Sequence, residues 1–307
     1  MVFVEKRKRG KDTLYYLAKA FRQKGKVKKK RVFLGTNLSK EQLSTLVDDA
    51  KKTLGEINFN SVLGLNELAE FEQIKLSLAE KIGAFDKESF YEHFVSEFTY
   101  DSNAIEGSTL TLNDTTNLLF RGITPKNKPM KNLIEAKNHK EAYDFVCALK
   151  QQNLSTQLIC DIQRIVVKNA LPEELVSQEG ILRTVNVQVA QHIAPQFIVV
   201  PRKLNVLIKW FNLNKKKYHP IVVAAYFHSE FESLHPFADG NGRTGRLLIN
   251  FMLTRQGYPP ITIFLKHRYD YYDALQKARE DKNLKPLINI LKKCYKEMEK
   301  VYSAEEK

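Results

Sequence analysis

Residues 235–246 are the part of the sequence richest in side chains that can do chemistry. They read His-Pro-Phe-Ala-Asp-Gly-Asn-Gly-Arg-Thr-Gly-Arg, and apolar stretches precede and follow them. Glycines beside the start of a helix let backbone N–H groups converge on an anion, and the positive end of the helix dipole adds to this attraction. Arg243 and Arg246 are three residues apart, so both would lie on one face of the outgoing helix. Two guanidinium groups on one face can bind phosphate oxygens.

Two further side chains of this run fit the chemistry of a nucleotide. Asp239 can bind Mg²⁺, which usually takes one or two carboxylates together with substrate phosphates. His235 can take up a proton near neutral pH. A phosphate-binding loop, a metal-binding carboxylate and a base together indicate phosphoryl or nucleotidyl transfer. The run is neither a P-loop nor a dinucleotide-binding fingerprint, and the alternative without function is a glycine-rich turn between two helices.

The run resembles the signature of the Fic family, HPFx[DE]GNGRxxR, and matches it at every specified position. The resemblance extends over roughly residues 87–285 and includes the segments 180–183 and 269–275. It implies a helical core with a β-hairpin flap. For most members it also implies transfer of AMP from ATP, with Mg²⁺ as cofactor, to a hydroxyl group of a target protein.

The resemblance implies a role for each matching residue. His235 would deprotonate a Ser, Thr or Tyr hydroxyl of the target, and Asp239 would hold Mg²⁺ between the α- and β-phosphates. Arg243 would bind the β-phosphate and Arg246 the γ-phosphate. The other expected nucleotide-binding positions are Gly240, Asn241, Gly242, Gly245 and Tyr272, of which Asn241 is also expected to be catalytic and Tyr272 to lie near the adenine or in a core stripe.

Residues 102–107 match a second family pattern, the inhibitory motif [ST]xxxE[GN], through Ser102, Glu106 and Gly107. A carboxylate that reaches Arg246 would take the place of the γ-phosphate, and ATP would then bind with its α-phosphate misplaced. The resemblance therefore implies an adenylyltransferase that Glu106 inhibits. Two alternatives stay open. Glu106 is a surface acid capped by Gly107, or it positions a water that hydrolyses AMP from the modified protein, as in some family members.

The elements that must position these residues are mostly helices. Apolar residues at helical spacing predict helices in the ranges 63–82, 132–150, 155–169, 202–217, 220–234, 244–256 and 269–280, with another around 90–98 and a C-terminal one over 281–301, interrupted at Pro286. Strict alternation at 185–189, followed by an apolar run at 197–200, predicts a β-hairpin flap over 185–200. By resemblance, Val187, Gln188 and Val189 of this flap would pair with an extended segment of the target.

The N-terminal residues differ from the rest in charge. Residues 1–31 carry +11 of the total net charge of +14. Two strand-like runs, 13–21 and 27–34, follow a short apolar start at 2–4 and predict a basic hairpin, after which a helix begins at Ser39. We therefore expect a small α/β appendage over 1–60 and a mostly α core over 61–307, with the inhibitory motif at 102–107, the flap at 185–200 and the catalytic motif at 235–246.

This basic appendage suggests a partner of its own. Six residues, Lys24, Lys26, Lys28, Lys29, Lys30 and Arg31, could bind nucleic-acid phosphates. Three aromatic residues, Tyr15, Tyr16 and Phe21, could stack on bases. A Lys-rich edge also protects an exposed strand from aggregation. Nucleic acid, an acidic protein partner and a merely solvated edge therefore stay open for residues 1–31.

Length and composition narrow the remaining possibilities. The chain has 307 residues, of which 43% are hydrophobic and 27% charged, so wholesale disorder is excluded. The sequence has no apolar run of membrane-spanning length and no apolar signal-peptide core, so we expect a cytoplasmic protein without a membrane partner. Three scattered cysteines fit reduced thiols. The partners expected are a target protein, the chain itself as a substrate, and a second copy in a homodimer.

Overall fold

The structure is a computed structural model, and it describes residues 2–23, 26–53, 59, 62–149, 152–189 and 192–304. The chain divides into two compact units, Met1–Asn58 and Phe59–Lys307. The boundary predicted between residues 60 and 61 lies outside the described residues, as do residues 190 and 191 in the predicted flap. Strands dominate the first unit and helices the second.

The N-terminal unit contains a three-stranded antiparallel sheet and a helix. The strands β1 (Val2–Arg9), β2 (Asp12–Gln23) and β3 (Lys26–Thr36) lie in the order β1-β2-β3. Helix α1 (Lys40–Thr53) packs against β2 and β3. The first strand is longer than the predicted apolar start, because pairing continues to Arg9 and Asp12 beside a turn in which Gly10 has a φ of +62°. The predicted hairpin is therefore part of a sheet.

The second unit is built from helices. The first of them are α2 (Leu65–Ala84), α3 (Lys87–Ile105), α4 (Leu112–Phe120) and α5 (Met130–Ala148). They are followed by α6 (Thr156–Val167), α7 (Val200–Asn214), α8 (Pro220–Leu234) and α9 (Asn241–Thr254). Then come α10 (Arg268–Glu280) and α11 (Lys285–Ala304). The predicted class, mostly α with a small α/β appendage, is confirmed, and within the described ranges no helix is long and apolar enough to cross a membrane.

Two helices differ from the prediction, and in each case residues at the start of the helix explain the difference. Helix α4 is absent from the prediction, although Thr111 Oγ1 accepts the Asp114 N–H and the Asp114 carboxylate accepts the Thr111 N–H, both at 3.0 Å. This reciprocal pair is a capping box and marks the start of a helix. Pro286 lies in the first turn of α11 and does not interrupt it. Proline suits that position because the first N–H groups of a helix have no partner within it.

The flap is shorter than predicted. Strand β4 (Gln188–Val189) pairs with β5 (His192–Ile193) in an antiparallel ladder. The predicted second arm at 197–200 is wrong, because Phe197–Val199 form a 3₁₀ helix that leads into α7. Val199 and Val200 are buried there, so the same apolar run serves the start of a helix. A short apolar run cannot by itself distinguish these two outcomes.

Helices α8 and α9 lie at the buried centre of the second unit. Helix α8 packs against α7, α9 and α10, and every side chain of α9 from Leu247 to Leu253 is buried. Helix α9 begins at Asn241, three residues before the predicted start. The second half of the chemical motif is thus part of the first turns of a buried helix, which holds its backbone N–H groups in place.

Candidate active site

The loop between α8 and α9 shapes the motif. His235 ends α8 in the left-handed conformation with a φ of +48°, and Gly240 precedes α9 with a φ of +79°. Space also requires glycine at 240, since a Cβ there would lie 2.6 Å from Val167 Cγ1. Asn241 closes the loop, because its Nδ2 donates to Phe237 O and its Oδ1 accepts the Phe237 N–H, both at 2.9 Å. Its side chain braces the loop, and its predicted phosphate contact stays a prediction.

A small cleft of about 70 Å³ opens at this loop. The lining joins the motif to the end of α3 and consists of Glu106, His235, Ala238, Asp239, Gly240, Asn241, Gly242 and Arg243. The predicted base, the predicted metal-binding carboxylate and the glycine-rich start of a helix thus share one cavity. The first N–H groups of a helix have no partner within it. They make this end of α9 suitable for binding an anion.

The His235 imidazole is neutral at physiological pH. Burial lowers its pKa from 6.5 to about 4, against the weaker opposing effect of a hydrogen bond to the main-chain carbonyl of Glu232. That hydrogen bond orients the ring, because the nitrogen that donates to the carbonyl leaves the other nitrogen as an acceptor. His235 is therefore in the protonation state that a general base needs.

Arg183 ties the catalytic loop to the flap, and the sequence points to it only through the family resemblance. It is buried, with 2% of its surface exposed. Its Nε donates to His235 O at 2.8 Å, its Nη1 donates to Val185 O at 2.7 Å, and its Nη2 donates to Pro195 O. Carbonyl groups at the end of a helix lack partners within the helix. Arg183 donates a hydrogen bond to such a carbonyl group, that of His235 at the end of α8. It therefore acts as a positioning residue for His235.

Arg246 is buried in α9, and its guanidinium group is bound by the protein itself. Its Nε donates to Ser102 Oγ at 2.9 Å, and its Nη2 donates to Ser102 O at 2.7 Å. The same Nη2 donates to Glu106 Oε1 at 2.8 Å. Burial would lower the pKa of Arg246, but the Glu106 carboxylate raises it above its ordinary value. The predicted pairing of Glu106 with Arg246 is thus present, and Glu106 is not a lone surface acid.

The end of α3 fixes where the Glu106 carboxylate lies. Gly107 follows with a φ of +101°, and its N–H donates to Ala104 O at 3.0 Å, so it ends the helix as the capping alternative expects. Gly107 thus caps the helix as that alternative expects, but the Glu106 carboxylate is paired with Arg246 and does not stand alone at the surface. The carboxylate also lies against the first turn of α9, because a Cβ on Gly242 would be 2.1 Å from Glu106 Oε1. The carboxylate therefore lies beside both Arg246 and the start of α9.

The residues around Asp239 fit a magnesium ion. Arg243 Nη1 lies 2.9 Å from Glu135 Oε1, and its Nη2 lies 3.3 Å from Asp239 Oδ1. Asp239 lines the cleft and keeps 35% of its side chain exposed. One carboxylate with phosphate oxygens is a ligand set that Mg²⁺ accepts. Among the described residues, no group of three His, Cys, Asp or Glu side chains could hold a metal by itself.

Three predicted nucleotide-binding residues lie outside the lining of the cleft: Arg246, described above, and also Gly245 and Tyr272. Gly245 lets α8 and α9 approach each other, since a Cβ there would be 2.4 Å from Glu232 Oε1. Tyr272 Oη donates to Ile105 O at 3.1 Å and so fastens α10 to the end of α3. Both residues support the elements that carry the motifs, and a direct contact with the nucleotide stays a prediction for each.

The three flap residues lie on one short strand segment. Val187 O accepts the Ala194 N–H at 3.2 Å, and Gln188 and Val189 form β4. The His192 ring contacts Ser233 O through Nε2 at 2.8 Å, which holds β5 against the end of α8. The flap is therefore fixed next to the catalytic loop, where a target segment would have to lie.

A buried acid beneath the motif, Glu232, is a residue that sequence reasoning missed. Burial raises its pKa to about 8, and its Oε1 lies 3.9 Å from His228 Nδ1. His228 Nε2 lies 2.6 Å from Tyr271 Oη, and burial lowers the His228 pKa to about 3. His228 thus has a structural place in the core. The only available signal for Glu232 was its spacing of four residues from His228.

Comparisons with known proteins agree with this site. The model of the Fic/DOC family matches residues 153–253. A protein adenylyltransferase Fic from Nematostella vectensis is 32% identical over 212 residues, which cover 68% of this chain and 47% of that protein. A protein of the same name from Aedes aegypti is 33% identical over 217 residues, which cover 68% and 41%. The chain thus matches less than half the length of these relatives.

Solved structures share the fold. A Fic domain containing signaling protein from Bacteroides thetaiotaomicron has a TM-score of 0.66 at 26% identity, covering 76% of this chain and 96% of that one. Fic-1 from C. elegans has a TM-score of 0.67 at 23% identity, covering 87% and 78%. With the complete motif at the start of α9, these matches show that the chain belongs to the Fic/DOC family.

Proposed function

We propose that this protein transfers AMP from ATP to a hydroxyl group of a protein target. The observation that carries this proposal is the shared cleft, in which the neutral His235, the Asp239 carboxylate and the start of α9 face one cavity. Relatives named protein adenylyltransferase support the same reaction. The base, the anion site and the metal-binding carboxylate are the groups that nucleotidyl transfer requires.

In the proposed reaction, His235 takes the proton of the target hydroxyl while the hydroxyl oxygen attacks the α-phosphorus of ATP. A bond forms between these two atoms, and the bond from the α-phosphorus to the bridging oxygen breaks. Pyrophosphate leaves, and AMP stays on the target. N–H groups at the start of α9 stabilise the charge on the α-phosphate. Asp239, together with phosphate oxygens, would hold Mg²⁺, which would supply positive charge for the leaving pyrophosphate.

Glu106 restrains this transfer in our proposal. Its carboxylate pairs with Arg246 and also lies against Gly242. A γ-phosphate must therefore compete with Glu106 for the same guanidinium group and for the same space. ATP either displaces the carboxylate or binds with its phosphates shifted away from the line of attack. Removal of the carboxylate leaves the two Ser102 contacts to hold Arg246 in place.

A second candidate reaction is the removal of AMP from a modified protein. It is favoured by the presence of Glu106 and His235 in one cleft, since a carboxylate there can accept a proton from a water molecule. Glu106 takes a proton from the water as the water oxygen attacks the α-phosphorus, and the bond from the α-phosphorus to the target oxygen breaks. His235 passes a proton from solvent to the departing target oxygen. The two reactions predict opposite effects of Glu106→Gly, which increases transfer and abolishes removal.

The target is presented by the flap in this proposal. Val187 and strand β4, with Gln188 and Val189, would pair with an extended segment of the target, and such pairing selects backbone shape more than sequence. The target is a protein with a reactive hydroxyl, and the chain itself is a candidate. We also expect a homodimer and a cytoplasmic location.

The test uses α-³²P-labelled ATP and Mg²⁺ with three proteins: wild type, Glu106→Gly and Glu106→Gly/His235→Ala. We expect Glu106→Gly to label protein strongly, wild type weakly and the double variant not at all. Absence of label from all three, with nucleotide binding intact, would contradict AMP transfer. In that case, loss of AMP from a modified protein in wild type, but not in Glu106→Gly, would support removal.

A further inference from the structure

The N-terminal sheet has two faces of different character. Directly opposed residues of an antiparallel pair project from the same side of the sheet. The register therefore places one set of side chains together, the Arg7–Arg31 face, which includes Phe3, Glu5, Arg7, Tyr16, Lys29, Arg31 and Phe33. The opposite face carries the large side chain of Leu17, which is 1% exposed, whereas on the Arg7–Arg31 face Phe33 is 40% exposed and the small Ala18 is buried. Since α1 packs against β2 and β3, the buried Leu17 shows which face the helix covers.

The arginines of the Arg7–Arg31 face are held in place. Glu5 Oε1 accepts from Arg7 Nε at 2.9 Å, and Glu5 Oε2 accepts from Arg31 Nε at 3.0 Å. The carboxylate thus links a guanidinium group of β1 to one of β3 across the central strand. Both arginines stay accessible, with 51% and 33% of their side chains exposed. Arginines fixed in this way lose less conformational freedom when they bind a ligand.

Aromatic rings support the positive charges on the same face. The Arg7 guanidinium carbon lies 5.5 Å from the centre of the Tyr16 ring, and Lys29 Nζ lies 5.2 Å from that of Phe3. The rings of Tyr16 and Phe33 are 5.2 Å apart. Cations stacked on aromatic rings next to an exposed phenyl ring form a surface with both charge and apolar contact area. A protein surface built only for solubility does not need that combination.

We propose that the Arg7–Arg31 face binds double-stranded DNA in its major groove. Charge complementarity supports this partner, since residues 1–31 carry a net charge of +11 and DNA presents a regular row of phosphates. The outer strands β1 and β3 are about 10 Å apart. The major groove of B-DNA is about 12 Å wide and admits β-strands, whereas that of duplex RNA is too narrow. Lys24 lies outside the described residues, and of the other basic residues first considered, Lys29 and Arg31 lie on this face.

The test measures the binding of a fluorescein-labelled duplex DNA of about 20 base pairs to the full chain by fluorescence anisotropy. With about four phosphate contacts, affinity falls about 100-fold between 50 and 200 mM salt. Arg7→Gln/Arg31→Gln is expected to weaken binding about tenfold or more and to flatten the salt dependence. The matched control is Lys6→Gln/Lys8→Gln, which removes the same charge from the opposite face of β1. This control is expected to weaken binding by no more than about threefold.

A third variant, Arg7→Lys/Arg31→Lys, keeps the charge and is expected to keep the salt dependence. It therefore distinguishes loss of charge from loss of folding as the cause of weaker binding. Absence of saturable binding at 50 mM salt would overturn the proposal. Equal losses of affinity in the two glutamine variants would overturn it as well, because they would show that binding depends on net charge and not on this face. Equal affinity for duplex RNA, or for single strands, would assign the face to a different nucleic acid. The test reads no enzymatic activity, so it is independent of the proposed AMP transfer.

Discussion

The two ends of the catalytic motif are in different states. His235, at the end of α8, lines the cleft as a neutral imidazole. Arg246, in α9, is buried and already bound by Ser102 and Glu106. The group proposed to do the chemistry is thus ready, whereas the group proposed to bind the γ-phosphate is occupied. In the proposed mechanism, access of the phosphates to Arg246, and not the state of the base, would limit activity in this conformation.

Loss of the base is expected to have the largest effect. In the Glu106→Gly background, where the arginine is released, His235→Ala should reduce the initial rate of labelling by about 10²–10⁴-fold, the usual contribution of a general base. His93→Ala, on the side of α3 where His93 pairs with Glu97, is the matched control and should leave the rate unchanged. Equal rates for the two variants would show that His235 is not the base.

Disturbing the position of the base is expected to have the next largest effect. Lysine in place of Arg183 cannot serve the same three carbonyl groups, and each buried carbonyl left unpaired costs about 1–3 kcal/mol. We expect kcat to fall by about 100-fold, as for a small misplacement of a reacting group, with little change in KM for ATP. Steady-state kinetics in the Glu106→Gly background measure both, with Arg121→Lys as control. An unchanged kcat would contradict a positioning role.

The occupied end of the motif can be weakened without changing either charged residue. Alanine at Gly242 would push on the Glu106 carboxylate. We expect Gly242→Ala to raise labelling by about three- to tenfold in wild type, since a partly exposed ion pair contributes about 1 kcal/mol. In the Glu106→Gly background it should produce no increase. The control is Gly245→Ala, whose Cβ would meet Glu232, and it should not increase labelling. An equal increase from Gly242→Ala in both backgrounds would show that the increase does not depend on Glu106.

The smallest expected effect concerns the buried acids near Arg246. Burial raises the pKa of Glu232 to about 8 and that of Asp101 to about 7. The folded protein therefore binds more protons than the unfolded chain, and stability falls as the pH rises from the unfolded values toward these pKa values. We expect Glu232→Gln to reduce the loss of melting temperature between pH 7 and 9 by about 2–4 °C. The same loss in wild type and variant would show that Glu232 is already ionised.

Much of the site could be predicted from residue types and spacing. The motif at 235–246 predicted a phosphate site, and the family pattern at 102–107 predicted that Glu106 reaches Arg246. The flap and α4 could not be predicted with the same success. An apolar run such as 197–200 fits both a strand and the start of a helix. In the folded chain it is buried at the start of α7, so it forms the helix start. For α4 the sequence offers the capping box of Thr111 and Asp114, but the helix has only nine residues and so only a short periodic pattern.

Other features depend on contacts between residues that are far apart in the chain. Arg183 serves carbonyl groups of both the flap and α8, and Asn241 uses its amide to close its own loop. A side chain's partners are set by packing, so neither role follows from spacing. The same holds for Glu232, whose raised pKa comes from burial that spacing does not reveal.

The sequence by itself was enough to predict the chemistry that we propose, because this prediction depends on the kinds of side chain in one short run and on their order. It also determined the mostly helical class through the periodicity of apolar residues. Only the tertiary structure decided the state of the site. Folding brings the end of α3 against α9, buries Arg246 beside Glu106 and leaves His235 neutral. Burial and proximity set these properties, and both arise only when the helices pack together.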